Sequence, residues 1–216
     1  MPLRETLILF GCLVVAVLLH EISHGVAAFM LGDDTARRAG RLTLNPVPHI
    51  DPFGSLILPA MGALAGLPIV GYAKPVPVDP RRMRNPRRDM LLVSLAGPAS
   101  NLALMTLAAV STRWLLHGGS GLATAIDQSG DDLLVQIVFS FAVVNLLLGL
   151  FNLLPIPPLD GSAIFERFMP ASWLPTWSRF RPYGLLVVFL LVFMVPGLIT
   201  AIVTPFFDVL YRFVVG

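Results

Sequence analysis

Charge is scarce in this chain. Of its 216 residues 13% are charged, against 56% that are hydrophobic before glycine is counted. Soluble domains run at about 45–50% apolar with glycine included and about 25% charged. The mean hydropathy is +0.79. A water-soluble globule has nowhere to hide that much apolar surface, which excludes a cytosolic enzyme, and the same hydropathy excludes a disordered chain. Cysteine is scarcer still. A single residue, Cys12, excludes a disulfide framework and any cysteine-cage zinc site. There is no G-x-S-x-G, so a membrane serine protease of that kind lacks its nucleophile motif. Glycine-rich phosphate loops, heptads, internal repeats and long soluble segments are also missing. The 19 prolines and 18 glycines show no period, which excludes collagen. The net charge is only +2, and the pI near 9.1 comes from clustered arginines. Beside apolar runs such a cluster points to the headgroups of a lipid bilayer and not to nucleic acid.

What the chain does have is apolar length. A transmembrane helix needs about 20 mostly apolar residues. Thr6–Leu31 has only Cys12, His20, Glu21 and His24 as ionisable groups, and Met90–Thr112 carries no charge. Leu133–Leu154 carries none and stops at Pro155. Tyr183–Phe207 and the stretch from there to Gly216 are interrupted by Pro196-Gly197, so this block is two short helices or one kinked one. Phe53–Tyr72 differs in kind, because Gly54, Pro59, Gly62, Gly66, Pro68 and Gly71 make it a poor continuous helix. A re-entrant hairpin is its alternative to a full crossing, since irregular backbone at membrane depth is tolerated where protein buries it. The N-terminal run is not expected to be a signal peptide, because it continues through ionisable residues to Leu31. The expected fold is an all-α polytopic membrane protein, one membrane-embedded domain over residues 1–216 with about 5–6 membrane segments. Core spans are expected at about 6–31, 90–112 and 133–154 and C-terminal helices at about 183–215, with a small β element between Arg41 and Val78.

The strongest chemical signal lies inside the first run: His20-Glu21-Ile22-Ser23-His24, an H-E-x-x-H pattern. Residues four apart share one helix face, so both imidazoles can reach one metal ion, and the glutamate beside them is placed to act as a general base on water. An ionisable residue at the middle of a membrane costs at least about 2.5–3.5 kcal/mol on insertion scales, so three together are costly unless they serve a function. A catalytic zinc takes three protein ligands and leaves a fourth position open. The candidate for the third is Asp160, in Asn152-Leu-Leu-Pro-Ile-Pro-Pro-Leu-Asp160-Gly161. The prolines end the Leu133–Leu154 helix and stiffen the backbone that leads to Asp160, and Gly161 is expected to permit a tight turn.

His20-Glu21-x-x-His24 in a membrane span, with Asn152 to Asp160-Gly161 far downstream, resembles the site-2 protease family of intramembrane zinc metalloproteases. Ala96-Gly97-Pro98-Ala99-Ser100-Asn101 looks like that family's A-G-P-x-x-N motif, and Gly71-Tyr-Ala-Lys-Pro-Val76 looks like its extended, membrane-dipping substrate-holding strand. The family's L-D-G-G reads here Leu159-Asp160-Gly161-Ser162. The resemblance implies that His20, His24 and Asp160 are zinc ligands, one Zn2+ per chain, and that Glu21 is the catalytic base, with Asn152 assisting near the active site. It implies substrate contacts at Tyr72, Ala73, Lys74 and Asn101. It further implies a short form without PDZ or CBS domains, multi-pass in a bacterial cell (inner) membrane and acting on transmembrane protein substrates.

The rival reading is a metal-ion carrier that uses the same three ligands transiently. A non-catalytic helix-binding relative is a weaker one, and would be expected to have lost one of the four residues. A carrier has no need of a general base beside its ligands, so Glu21 discriminates. His49 and Asp51 are expected to form a polar turn, with a supporting role at the metal as the alternative. Nine basic residues fall within Thr35–Asp89, while Arg113–Asp132 holds one arginine against three aspartates. A re-entrant Phe53–Tyr72 keeps all nine on one side, as the positive-inside rule prefers, with the N-terminus outside and the zinc site nearer the cytoplasmic face.

Overall fold

A helix that is apolar on every side needs lipid or protein around it, and the first run meets that description. In the computed structural model, which describes residues 3–57, 73–117, 133–195 and 197–216, it forms α1, Leu3–Met30. One turn, α2 (Thr35–Arg38), comes next. The second long helix, α3 (Pro86–His117), starts with proline at its first position, where the missing N–H costs nothing. Then come α4 (Leu133–Asn152), the amphipathic α5 (Gly161–Phe168), α6 (Leu174–Phe180), α7 (Gly184–Met194) and α8 (Leu198–Val215). Among the described residues α1, α3, α4 and α8 are long and apolar enough to cross a membrane. Between 11% and 28% of their most apolar stretches is buried by protein. Faces such as Phe10, Leu107, Trp114 and Val209 therefore stand bare. In water these faces would aggregate, whereas in a bilayer they meet their solvent. The chain is an integral membrane protein.

The C-terminal apolar block is two helices, with Gly197 at φ +93° before α8. Glycine suits that left-handed position, which no L side chain favours. The described residues contain no strand, and residues 73–79 run as irregular chain, so the β element expected between Arg41 and Val78 is not seen there. The re-entrant hairpin expected at Phe53–Tyr72 lies outside the described residues beyond Ile57, as does Tyr72 itself.

The chain divides into two compact units, residues 17–97 and residues 1–16 with 98–216. In the larger, small residues let helices close in. Ala108 and Ala109 of α3, Ala142 and Leu146 of α4, and Leu210 and Val214 of α8 make one buried cluster. Cys12 and Ala16 of α1 pack with Val144 of α4 in a second. In the smaller unit Ala28 at the end of α1 packs with Met83 and with Val93 of α3. Asp34 bridges to Arg82 at 2.9 Å, and Asp33 Oδ2 accepts the Asp79 N–H at 2.6 Å. The last turn of α1 and the approach to α3 therefore lie side by side.

Candidate metal centre

On α1 the four-residue spacing resolves into two adjacent ridges. His20 and His24 form one, Glu21 and Gly25 the other, about 100° apart around the helix. Ser23, polar and mid-helix, gives its hydroxyl to the Leu19 carbonyl at 2.7 Å.

The histidine ridge faces α3. His20 and His24 are 5% and 9% exposed, and their Nε2 atoms are 3.0 Å apart. Two zinc–imidazole bonds of ~2.0–2.1 Å at a tetrahedral angle would put the nitrogens about 3.3 Å apart, so the pair is set for one ion. His24 Nδ1 lies 2.7 Å from the Val93 carbonyl oxygen. A carbonyl only accepts, so Nδ1 carries the proton and Nε2 keeps its lone pair for a metal. Metal-binding histidines are commonly oriented by such a bond. Pro98, one residue past Gly97 in α3, cannot donate within its own helix, which loosens the hydrogen-bond ladder at this level. Gly97 then closes the site. A Cβ there would stand 2.4 Å from His24 Nε2 and 2.6 Å from His20 Cε1. In the sequence Gly97 stands out only as part of a motif. Its role is space: the helix backbone has to press against both ligand rings.

The glutamate ridge faces residues 73–79. Glu21 Oε2 accepts the Val76 N–H at 2.9 Å. Gly25, one turn on, leaves room for Leu42 and Val76, since a Cβ there would lie 2.5 Å from Leu42 Cδ2 and 3.1 Å from Val76 Cγ1. Ala73 is half-buried and Lys74 exposed beside it, with the Lys74 N–H donated to the His49 carbonyl at 2.9 Å. His49 and Asp51 each sit in a turn, the His49 N–H donated to the Pro46 carbonyl at 2.9 Å and Asp51 Oδ1 accepting the Gly54 N–H at 2.7 Å. Burial first, and the Arg41 charge second, push the His49 imidazole below its ordinary pKa, against the Thr43 carbonyl and the Glu21 charge, which raise it.

In the other unit Asp160 stands at the start of α5, half-buried, and makes no capping bond to that helix. A helix-end aspartate normally caps, so this carboxylate is directed elsewhere. Gly161 lies in the expected tight turn, where the Ser162 N–H is donated to the Leu159 carbonyl at 3.0 Å, without a positive φ. It is needed for closeness, as a Cβ would stand 2.1 Å from the Leu153 carbonyl oxygen. Asn152 donates its amide to the Leu148 carbonyl at 2.9 Å, within its own helix. Asn101 is fully buried and donates to Asn145 Oδ1 at 2.8 Å, joining α3 to α4. Asn145 was missed in the sequence, although an asparagine inside an otherwise apolar run is its visible signal.

Two imidazoles set for one ion, with a carboxylate beside them in a bilayer-embedded helix, are the parts of an intramembrane metallohydrolase. The family model for peptidase family M50 matches residues 8–195. The Bacillus subtilis (strain 168) protein YwhC is 39% identical over 184 residues, which is 85% of this chain and 78% of the relative. Rip2 of Mycobacterium tuberculosis (strain ATCC 25618 / H37Rv) is 37% identical over 186 residues, 85% of this chain and 65% of the relative. Rip2 of Mycolicibacterium smegmatis is 33% identical over 201 residues, 90% of this chain and 68% of the relative. All three bear the name "putative zinc metalloprotease". No solved structure matches the chain. The chain belongs to peptidase family M50, the site-2 protease family of intramembrane zinc metalloproteases. The spacing of the histidine pair fits a zinc ion.

Proposed function

We propose that this protease hydrolyses a peptide bond in or next to a transmembrane segment of another membrane protein, with His20, His24 and Asp160 holding the zinc and Glu21 as the base. The paired imidazoles carry the reading, because His24 is oriented by the Val93 carbonyl so that both Nε2 atoms converge. Asp160 supplies the missing third ligand type, and its carboxylate is not spent on capping α5. Bound zinc supplies a Lewis acid that acidifies a water and polarises the scissile carbonyl. Glu21 would take a proton from the water as its oxygen bonds to the scissile carbonyl carbon, and return it to the leaving amine as the C–N bond breaks. Asn152 stands eight residues before Asp160 and assists at the site's edge.

A substrate helix hides its carbonyls in hydrogen bonds and has to unwind before cleavage. Tyr72, Ala73 and Lys74 are the natural place to hold it extended by strand addition, and Asn101 is the further candidate contact. Re-entry of Phe53–Tyr72 is supported by the chain that flanks it, since the Lys74 N–H is donated to the His49 carbonyl at 2.9 Å. The protein is then multi-pass in a bacterial inner membrane. A metal-ion carrier would not need Glu21 held beside the ligands.

The test is purification in detergent, zinc analysis, and incubation with a panel of single-span peptides. One zinc per chain and a cut within or beside an apolar segment are expected. Glu21→Gln should lower cleavage by about 10²-fold or more while keeping the zinc. Cleavage by this variant at the wild-type rate would end the mechanism.

A further inference from the structure

Proline carries no backbone N–H, so in the run Pro75-Val76-Pro77 only Val76 can donate. That one donor goes to Glu21 Oε2 at 2.9 Å. The prolines set the shape as well. A residue before proline is pushed into extended backbone, and this applies to both Lys74 and Val76. An extended chain sends the N–H groups of residues two apart to the same side. Lys74 and Val76 fit that pattern, the first bonded to the His49 carbonyl and the second to Glu21.

The chain is fixed on both sides of this donor. Arg41, 6% exposed, donates from one terminal nitrogen to the Lys74 carbonyl at 2.6 Å and the Pro75 carbonyl at 3.2 Å. Val76 is 8% exposed and lies against α1 where Gly25 leaves room. Farther on, Asp79 N–H is held by Asp33. All of these residues belong to the smaller unit. A buried arginine that spends its donors on two consecutive carbonyls is an anchor for backbone, because a guanidinium presents several donors in a rigid fork.

We propose that residues 74–77, anchored by Arg41, form a tether that positions the catalytic base: the Val76 N–H holds Oε2 of Glu21 and leaves Oε1 to take the proton. Arg41 and Val76 are positioning residues that act through Glu21. The proposal rests on the reading of Glu21 as the base given above. It adds a coupling, because Lys74 and Pro75 are exposed on the same segment. A substrate strand laid along that segment would touch the backbone that orients the base.

The experiment uses the full chain in detergent with the peptide panel. Val76 is replaced by its α-hydroxy acid through nonsense suppression, which turns the N–H into an ester oxygen and keeps the side chain. A lost hydrogen bond to a charged group predicts a kcat about tenfold or more lower, with KM and zinc per chain unchanged. Arg41→Met should lower kcat similarly and Arg41→Lys less. Combined with the Val76 ester, Arg41→Met should add little, because both act through one bond. Where Arg41→Met does not fold, the ester variant decides alone. An ester variant with wild-type kcat overturns the tether. Fully additive losses overturn Arg41 as its anchor. Absence of cleavage from the zinc-loaded wild type overturns the protease reading, and the tether with it.

Discussion

Gly97 and His24 are packed so closely that one added carbon on Gly97 would stand 2.4 Å from His24 Nε2. The contact is with a ring held at its far nitrogen by Val93, so the imidazole has little room to retreat. Overpacking of this kind costs about 1–3 kcal/mol in a well-packed interior. Gly97→Ala should therefore fold and reach the membrane, yet bind zinc more weakly and cleave more slowly. Zinc content after dialysis against a weak chelator measures the first effect. A Gly97→Ala protein with wild-type zinc retention would show that the rings do not need this close backbone.

Asp160→Ala should lower zinc content along with activity. Losing a partner that merely orients a ligand costs about 10–100-fold in affinity or activity, and loss of a ligand should exceed that. Competition with a fluorescent zinc chelator gives the affinity directly. Unchanged affinity would remove Asp160 from the site and leave its place at the start of α5 to be explained by packing.

Asp33 links the end of α1 to Asp79, in the approach to α3, and its bond should be sensitive to acid. Burial alone would raise its carboxyl, but the Thr35 hydroxyl, the N–H groups of Asp79 and Thr35, and the Arg38 charge together hold it below the ordinary aspartate value. A group depressed on folding contributes stability above its unfolded pKa, about 3.9. That contribution fades as pH falls through the lower folded value. Wild type and Asp33→Asn, compared by thermal unfolding in detergent, should differ most near neutral pH and converge as the pH falls through the depressed folded value. A gap that stays constant across this range would assign the effect to shape alone.

Topology is set by where the basic residues sit. With Cys12 replaced by serine, single cysteines at Arg38, Arg84 and Ser120 can be probed in intact cells with an impermeant thiol reagent. Arg38 and Arg84 are exposed and flank the contacts that join the end of α1 to the start of α3. The Ser120 site alone should be labelled, as expected for an acidic loop outside and arginines inside. Labelling of only one of the other two would mean that Phe53–Tyr72 crosses the membrane.

Several features were readable from residues alone because their physics is local. Helical spacing puts His20 and His24 on one face in any helix, and their apolar surroundings make that helix a membrane one. Leu133–Leu154 ends where Pro155 requires it to, within two residues of the observed end of α4 at Asn152. Contacts with distant partners are not readable in this way. Gly161 serves the expected turn but is also small for the sake of Leu153, and that contact depends on how the chain doubles back after α4. The Asn101 amide is bonded to Asn145, 44 residues away, a partner that the motif around Asn101 does not name.

The sequence by itself determined the solvent, the helix-forming runs and the pair of imidazoles, since hydropathy and a four-residue period are properties of a continuous stretch. Only the tertiary structure decided what touches those imidazoles and the glutamate between them. Val93 and Gly97 reach the histidines from a second helix, and Val76 reaches Glu21 from a segment 55 residues away. Such contacts are set by which helix ridges pack and by where a proline-locked backbone must place its one remaining N–H, and neither is written in any single stretch of the chain.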